Sequence, residues 1–392
     1  MCKVAIVILN WNGSDMMRKY LPSVIRCSQG EGVEVIVADN ASTDDSISML
    51  HTNFPSIRII ELDQNYGFAD GYNRALKQVE AEYYLLLNSD VEIRQEGWLQ
   101  PMIEYLDRHP QVAACQPKLL KLQTHPLTPP CRETDPPPVP LPVSEGRGYH
   151  EVLTSFGNNS PHSGGAGRGS AQGVGPLFEY AGAAGGFIDK YGYPYCRGRV
   201  FATVEEDKGQ YDDTVSVMWT TGAAMMVRSN VYWDAGGLDA KFFAHMEEID
   251  LCWRMRIMGY DLVCVPQSTA YHLGGATLNQ GNPRKTFLNF RNNLLMLYKN
   301  LPEHQFRSVI RMRKLLDFVA AVQFLVKGDV ANMKAIRKAH KEFSQLIPYY
   351  TPIRQQIQQN RKVEHSVPEV VDHSVLWQYY VKGKKTYSQL QK

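Results

Sequence analysis

The tripeptide Asn88-Ser89-Asp90 follows directly on the apolar run Tyr83–Leu87, so a carboxylate stands where an expected strand gives way to a loop. Hard divalent cations take oxygen ligands, and Mg²⁺ or Mn²⁺ commonly bridges one or two carboxylates to the phosphates of a substrate. Asp90 is a candidate for that work, although Asn, Ser and Asp are also the residues of turns and helix caps. A second acidic group, Glu247-Glu248-Ile249-Asp250, opens the segment Glu247–Met258, which reads as a helix ended by Gly259. Leu251, Cys252 and Met255 lie three, four and seven residues beyond Glu248, so Glu248 shares the apolar stripe of that helix. A carboxylate so placed either pairs or lines a cleft, and in a cleft it can serve as a general base. Asp250 and Arg254, four apart, are accounted for by an ion pair along the helix. His272 offers an imidazole suited to a Mn²⁺-like ion, though a lone histidine is more often structural. Asp39, in Val37-Ala38-Asp39-Asn40, is able to accept a hydrogen bond from the N3–H of a uracil or thymine ring.

These residues need a scaffold that brings them to one place. The first 120 residues alternate apolar runs with helix-period segments, the pattern of a parallel sheet flanked by helices. Strands are expected at Val4–Leu9, Val33–Ala38, Ile57–Leu62 and Tyr83–Leu87, each unbroken enough to be buried on both faces. Helices are expected at Met16–Cys27, Asp44–His51 and Gly67–Val79, with Ser42 and Asp45 spaced as a capping box. Ligands of such sheets sit beyond the carboxyl ends of the strands, and those ends carry Asn10-Trp11-Asn12, Asp39-Asn40 and Asn88-Ser89-Asp90. Further on, Val215–Arg228 reads as one strand, and Asp261–Val265 as another that leads through Pro266 to His272. From Lys285 the chain turns helical and basic. Its most apolar stretch, Leu315–Val326, is too short to cross a bilayer and reads as a packed core helix in preference to an interfacial one, while the last 30 or so residues read as peripheral.

Composition narrows the classes. Of 392 residues 44% are hydrophobic and 21% charged, the usage of a globular chain with a core. Lys and Arg number 42 against 40 Asp and Glu, a balance of +2 that disfavours a protein coating nucleic acid. Seven scattered cysteines without a CxxC pair argue against a disulfide framework or zinc site and fit a reducing cytoplasm. The apolar run at the N-terminus is about six residues, shorter than a signal-peptide core. Residues 122–176 hold 10 of the 22 prolines and 9 of the 30 glycines and read as a disordered insertion. The dinucleotide fingerprint GxGxxG after the first strand and the phosphate loop GxxxxGK[ST] are both missing.

Taken in order, VAIVILNWNG (4–13), VIVADNASTDDS (35–46), NYGFADGYNRAL (65–76), YYLLLNSDVEI (83–93), WTTGAAMMVRS (219–229) and GGLDAKFFAHMEEIDLCWRMRIMGY…VPQSTAYH (236–272) resemble the family 2 glycosyltransferases, in particular the rhamnosyltransferase-like branch that builds bacterial surface polysaccharides. The resemblance implies an α/β GT-A (Rossmann-like) fold with a mixed, mainly parallel sheet and a helical C-terminal extension. It divides the chain into a nucleotide-sugar half (1–121), the insertion (122–176), an acceptor-binding and catalytic half (177–284) and the extension (285–392). It implies that Asp39 binds the base with Asn10, Asn12 and Asn65 nearby, and that Asn88-Ser89-Asp90 occupies the place of a DxD motif with Asn88 where many members have Asp. It further implies that Asp90 and His272 hold Mg²⁺ or Mn²⁺ on the donor diphosphate, and that Glu248 is the base where Asp is commoner. Trp219, Gly222 and Glu247 are expected toward the acceptor, with Glu247 facing it or solvent.

The expected reaction is inverting transfer from a UDP- or dTDP-sugar to a hydroxyl of a glycan or lipid-linked glycan. The expected location is the cytoplasm, peripheral on the inner face of the membrane, where the basic helical tail meets anionic lipid or is simply solvated. A nucleotidyltransferase is disfavoured because Asn10–Gly13 offers no basic side chain to phosphate. The rival class is a non-catalytic nucleotide-sugar-binding or scaffold protein, in which the Asn88 and Glu248 departures mark lost chemistry.

Overall fold

Residues rich in β-branched and aromatic side chains fit a pleated surface buried on both sides, and the apolar runs accordingly form β1 (Cys2–Asn10), β2 (Val33–Asp39), β3 (Arg58–Glu61) and β4 (Ala81–Asn88). In this computed structural model, which describes residues 2–122, 175–274, 281–363, 367 and 369–391, all four are parallel. β1 pairs β2 on one side and β4 on the other, and β3 lies outside β2. The crossovers are α1 (Ser14–Cys27), α2 (Ser46–Asn53) and α3 (Gly67–Leu76). Alternate residues of β1 divide between the two faces of the sheet: Val4, Ile6 and Ile8 pack with Met17 and Leu21 of α1, while Ala5 and Val7 pack with Tyr72 and Ala75 of α3.

After β4 come β5 (Val91–Glu92), α4 (Gln100–Arg108) and β6 (Val112–Lys121). Short strands β7 (Gly186–Asp189), β8 (Pro194–Cys196), β9 (Arg199–Val200) and β10 (Thr203–Val204) make a second sheet. The main sheet is completed by β11 (Val215–Ser216), β12 (Ala224–Arg228) and, beyond α5 (Ser229–Asp234) and α6 (Glu247–Ile257), by β13 (Asp261–His272). Its order among the described residues is β11-β13-β6-β12-β4-β1-β2-β3, with β5 on β13. β12 runs antiparallel between β4 and β6, which makes the sheet mixed. The chain ends in α7 (Pro283–Asn300), α8 (Glu303–Val326), α9 (Val330–Gln359), β14 (Val370–Val371), α10 (Val375–Tyr380) and α11 (Tyr387–Leu390).

Several expectations need correction. Val215–Arg228 is two strands, because Met218 and Trp219 between them bond to Gly186 of the second sheet. The Ser42–Asp45 capping box does not form: α2 starts at Ser46, and the Ser42 hydroxyl is taken by Asp39. His272 ends a strand rather than a loop, since β13 resumes its pairing with β6 after a bulge between Val265 and Thr269. The last residues are not peripheral: β14 extends the second sheet beside β7, and Val375, Tyr379 and Leu390 are buried. Leu315–Val326 is helical, but its apolar side chains are largely exposed. Residues 2–122 and 175–391 belong to one compact unit. Apart from its edges, the 122–176 insertion lies outside the described residues, and those edges touch: the Lys121 N–H donates to the Leu177 carbonyl at 2.8 Å.

Candidate active site

The ends of β1 and β2 lie side by side, with Asn10 in register with Asp39. The buried Asn10 amide donates to Asp39 Oδ1 at 2.9 Å, and the Ser42 N–H donates to Asp39 Oδ2 at 2.8 Å. Asn12 adopts φ 51°, a left-handed conformation that Asn tolerates better than most residues, and its Oδ1 accepts the Thr43 N–H at 2.7 Å. Asn10 Oδ1 is left buried without a partner, an acceptor free for a ligand. Asn65 joins this end through Asn40, whose amide donates to Asn65 Oδ1 at 3.2 Å. The structure thus brings Asn10, Asn12, Asp39 and Asn65 together as one polar end.

The second cluster forms where β4 stops. Antiparallel pairing of β5 with β13 sets His272 against Val91, and this brings His272 Nε2 to 3.0 Å from Asp90 Oδ1 and 3.3 Å from the Asn88 amide. The far nitrogen, Nδ1, lies 3.4 Å from Glu179 Oε1. Burial acts to discharge the His272 ring, but the Asp90 and Glu179 carboxylates overrule it and hold its pKa at about 10. Asp90 is correspondingly held below its ordinary value: burial opposes this, and the His272 partner outweighs burial. Among the described residues no group of three or more His, Cys, Asp or Glu side chains is arranged to hold a metal ion. A Mg²⁺ or Mn²⁺ ion would have to displace the ring proton that His272 shares with Asp90; with it gone, Asp90 and the neutral imidazole fit such an ion, whose other positions a diphosphate and water would fill, because these ions keep substrate and water ligands. Glu179 escaped the sequence reading; its position depends on the bridge between Leu120 and Phe178 across the insertion.

The third cluster begins α6. Phe243, His245 and Met246 all have positive φ, so the chain coils tightly into the helix. The loop is docked by the Phe243 carbonyl, which accepts the N–H groups of Phe68 and Ala69 at the start of α3. Gly67 makes the approach possible, with φ 73° and no room for a Cβ, which would lie 2.5 Å from the Phe243 ring. Asp250 accepts from Arg254 at 3.0 Å, Lys299 at 2.7 Å and Asn300 at 2.8 Å, which ties α6 to α7. This extends the helical ion pair expected from spacing.

Oε2 of Glu248 and of Glu247 is buried with no hydrogen-bond partner. Burial pushes the Glu248 carboxyl up to about 7, against the backbone N–H groups at the helix start. Glu247 is raised well above its ordinary value by burial and by the charge of Glu248; it does not face solvent, since its whole side chain is enclosed. Gly222 adjoins Glu248, for a Cβ on it would lie 3.6 Å from Glu248 Cβ. Trp219, expected toward the acceptor, is buried with its indole N–H donated to the Phe187 carbonyl at 3.0 Å, and it walls the core here. His245 was also unforeseen: burial lowers its pKa to about 4, leaving a neutral ring just ahead of the helix.

Residues 5–137 match the family described as Glycosyl transferase family 2. An N-acetylglucosaminyl-diphospho-decaprenol L-rhamnosyltransferase of Mycobacterium tuberculosis is 20% identical over 278 residues, covering 68% of this chain and 75% of the relative. The O-antigen biosynthesis protein RfbC of Myxococcus xanthus is 22% identical over 272 residues, covering 69% of this chain and 17% of that protein. Among solved structures, GalNAc-T7 with UDP, GalNAc and Mn²⁺ shares the fold at a TM-score of 0.52 and 12% identity, over 90% of this chain and 57% of that one. Strand order and these similarities agree: residues 5–137 match the family 2 glycosyltransferases, the wider chain is similar to a rhamnosyltransferase and an O-antigen biosynthesis protein, and the fold is GT-A.

Proposed function

We propose that the chain is an inverting glycosyltransferase that moves a sugar from a UDP- or dTDP-sugar to a hydroxyl of a glycan or lipid-linked glycan in cell-surface polysaccharide synthesis. The observation that carries this reading is the Glu248 carboxyl at the start of α6, whose Oε2 is buried without a hydrogen-bond partner and whose pKa is raised to about 7, since a general base works best near the operating pH. Asp39, with Asn10, Asn12 and Asn65 around it, takes the base of the donor. Asp90 and His272, with Asn88 beside them, hold Mg²⁺ or Mn²⁺, which supplies positive charge to the departing diphosphate. Glu248 accepts the proton of the acceptor hydroxyl as the new C–O bond forms at the anomeric carbon. The old bond to the diphosphate breaks on the opposite face, and the nucleoside diphosphate leaves with the electron pair. Gly222 and Glu247 border the acceptor side.

The relative from M. tuberculosis carries a diphospho-decaprenol acceptor in its name, which supports a lipid-linked acceptor for this chain. The test is nucleotide release from UDP-, dTDP- and GDP-sugars with and without Mn²⁺ or Mg²⁺, using wild type, Glu248→Gln and Asp90→Ala, in the presence of membrane extract as acceptor. Release from one donor that needs metal and falls about 10²–10⁴-fold in Glu248→Gln, with donor binding retained, is the expected result. Unchanged release in Glu248→Gln removes the base assignment. Donor binding without release in wild type favours the scaffold reading.

A further inference from the structure

Helix α8 splits along its length. Val309 and Ile310 of its first half are buried in the core, but the inner side of its second half is seated by a polar pair, with Arg313 paired to Asp317 at 2.7 Å, His340 of α9 at 3.0 Å from the same carboxylate, and the Arg313 guanidinium stacked on the Tyr193 ring. That pair fixes the helix's rotation and turns its apolar stripe outward. Leu315, Phe318, Val319, Val322, Leu325 and Val326 recur at helical spacing, and their exposures are 56, 64, 57, 41, 50 and 82%. Six such side chains along roughly 16 Å of helix make a contiguous apolar strip of the kind that marks an interaction surface.

The charges around the strip choose the partner. Between Glu303 and Asp329 the helix carries one acid, Asp317, which is fully buried, whereas Arg307, Arg311 and Lys314 are exposed. α9 begins within a few residues of the strip's end, and its first turns form one wall of a cavity of about 660 Å³ whose other wall is α7 and Phe243. Arg284, Lys334 and Lys338 line it, no Asp or Glu does, and among the described residues none of these three cations has a carboxylate partner. Pairing the strip with a second copy of itself would set cations against cations with no exposed acid between Arg307 and Lys327 to answer them; Glu303, at the far end of the helix, is already paired with Arg354.

We propose that the outer face of α8, with the cationic cavity at its C-terminal end, docks on an anionic lipid bilayer. The apolar strip enters the boundary between headgroups and acyl chains, as interfacial helices do, and the basic side chains meet lipid phosphates. None of the described helices is long and apolar enough to cross a membrane, so the attachment is peripheral. The reading does not depend on the transfer chemistry, and its test reads binding alone.

Full-length protein is sedimented with vesicles of phosphatidylcholine, or of phosphatidylcholine with phosphatidylglycerol, at 0.1 and 0.5 M NaCl. Binding is expected to be at least about tenfold tighter with phosphatidylglycerol and to weaken at high salt. The double variant Phe318→Glu/Leu325→Glu should lose binding, and Lys334→Ser/Lys338→Ser should weaken it roughly tenfold, both with wild-type circular dichroism because these side chains face outward. Sedimentation equilibrium runs in parallel. Wild type that ignores anionic vesicles overturns the proposal, as does binding that survives both variants; a dimer that Phe318→Glu/Leu325→Glu dissolves, without vesicle binding, assigns the face to a second copy.

Discussion

Glu248 sits in a place that gives its charge state a measurable signature. Burial lifts its pKa from 4.5 to about 7, and a base acts only when deprotonated, so kcat/KM should climb as pH passes from 6 to 8; a profile flat across that range would assign the proton to another group. The same shift has an opposite sign for stability. The folded chain holds this proton more tightly than the unfolded one, so this group's contribution weakens as pH rises from 4.5 toward 7. Glu179 offers a second residue-level test. If its carboxylate orients His272 through Nδ1, Glu179→Gln should weaken Mn²⁺ binding about 10–100-fold, read by metal titration rather than turnover. The sequence offered Asp90 as a candidate because it stands where an apolar run ends, Glu248 because it shares the apolar stripe of its helix, and His272 because a neutral imidazole suits such a metal. Glu179 and His245 were not legible, because a bridge across the insertion places one and a run of left-handed residues places the other.

At the scale of elements, the site depends on how α3, α6 and α7 grip one loop. Asp250→Ala would strip Arg254 and Lys299 of a shared buried partner, and losing one member of such a network costs about 3–5 kcal/mol; chemical denaturation of the variant measures it. Gly67→Ala would cost about 1–2 kcal/mol for its left-handed backbone alone and would push Phe243 from its seat, so kcat should fall along with the denaturation midpoint. β1–β4 and the crossovers α1–α3 were legible from hydrophobic runs, and the helix at Glu247 from its period, whereas α4 and the ten-residue strand β6 were missed. α8 was misread for a definite reason: period 3.6 reveals a stripe but not which side of the helix the fold covers. Here a buried ion pair and a histidine from α9 won the inner side.

For the molecule as a whole, the fold ignores the insertion at its edges. Lys121 and Leu177 are joined by a backbone hydrogen bond, so a linker of about four Gly/Ser residues in place of 123–174 should preserve the fold and stabilise it by about 2 kcal/mol through reduced closure entropy. A lower melting temperature would show that the segment packs on the body. The sequence change at 122 announced the insertion, yet the antiparallel partnership of its flanks was not legible, since neither flank has a strand-length apolar run of its own. The same long-range stitching bears on synthesis. Asp90 and His272 are separated by 182 positions, and at 5–20 residues per second a ribosome takes roughly 10–40 s to pass from one to the other. On the proposed roles, the emerging chain throughout that interval has the end around Asp39 that would take the nucleotide but not the pair that would hold its phosphates, so unfinished copies would leave a sugar donor uncut, and the Asp90–His272 contact certifies that translation has passed residue 272.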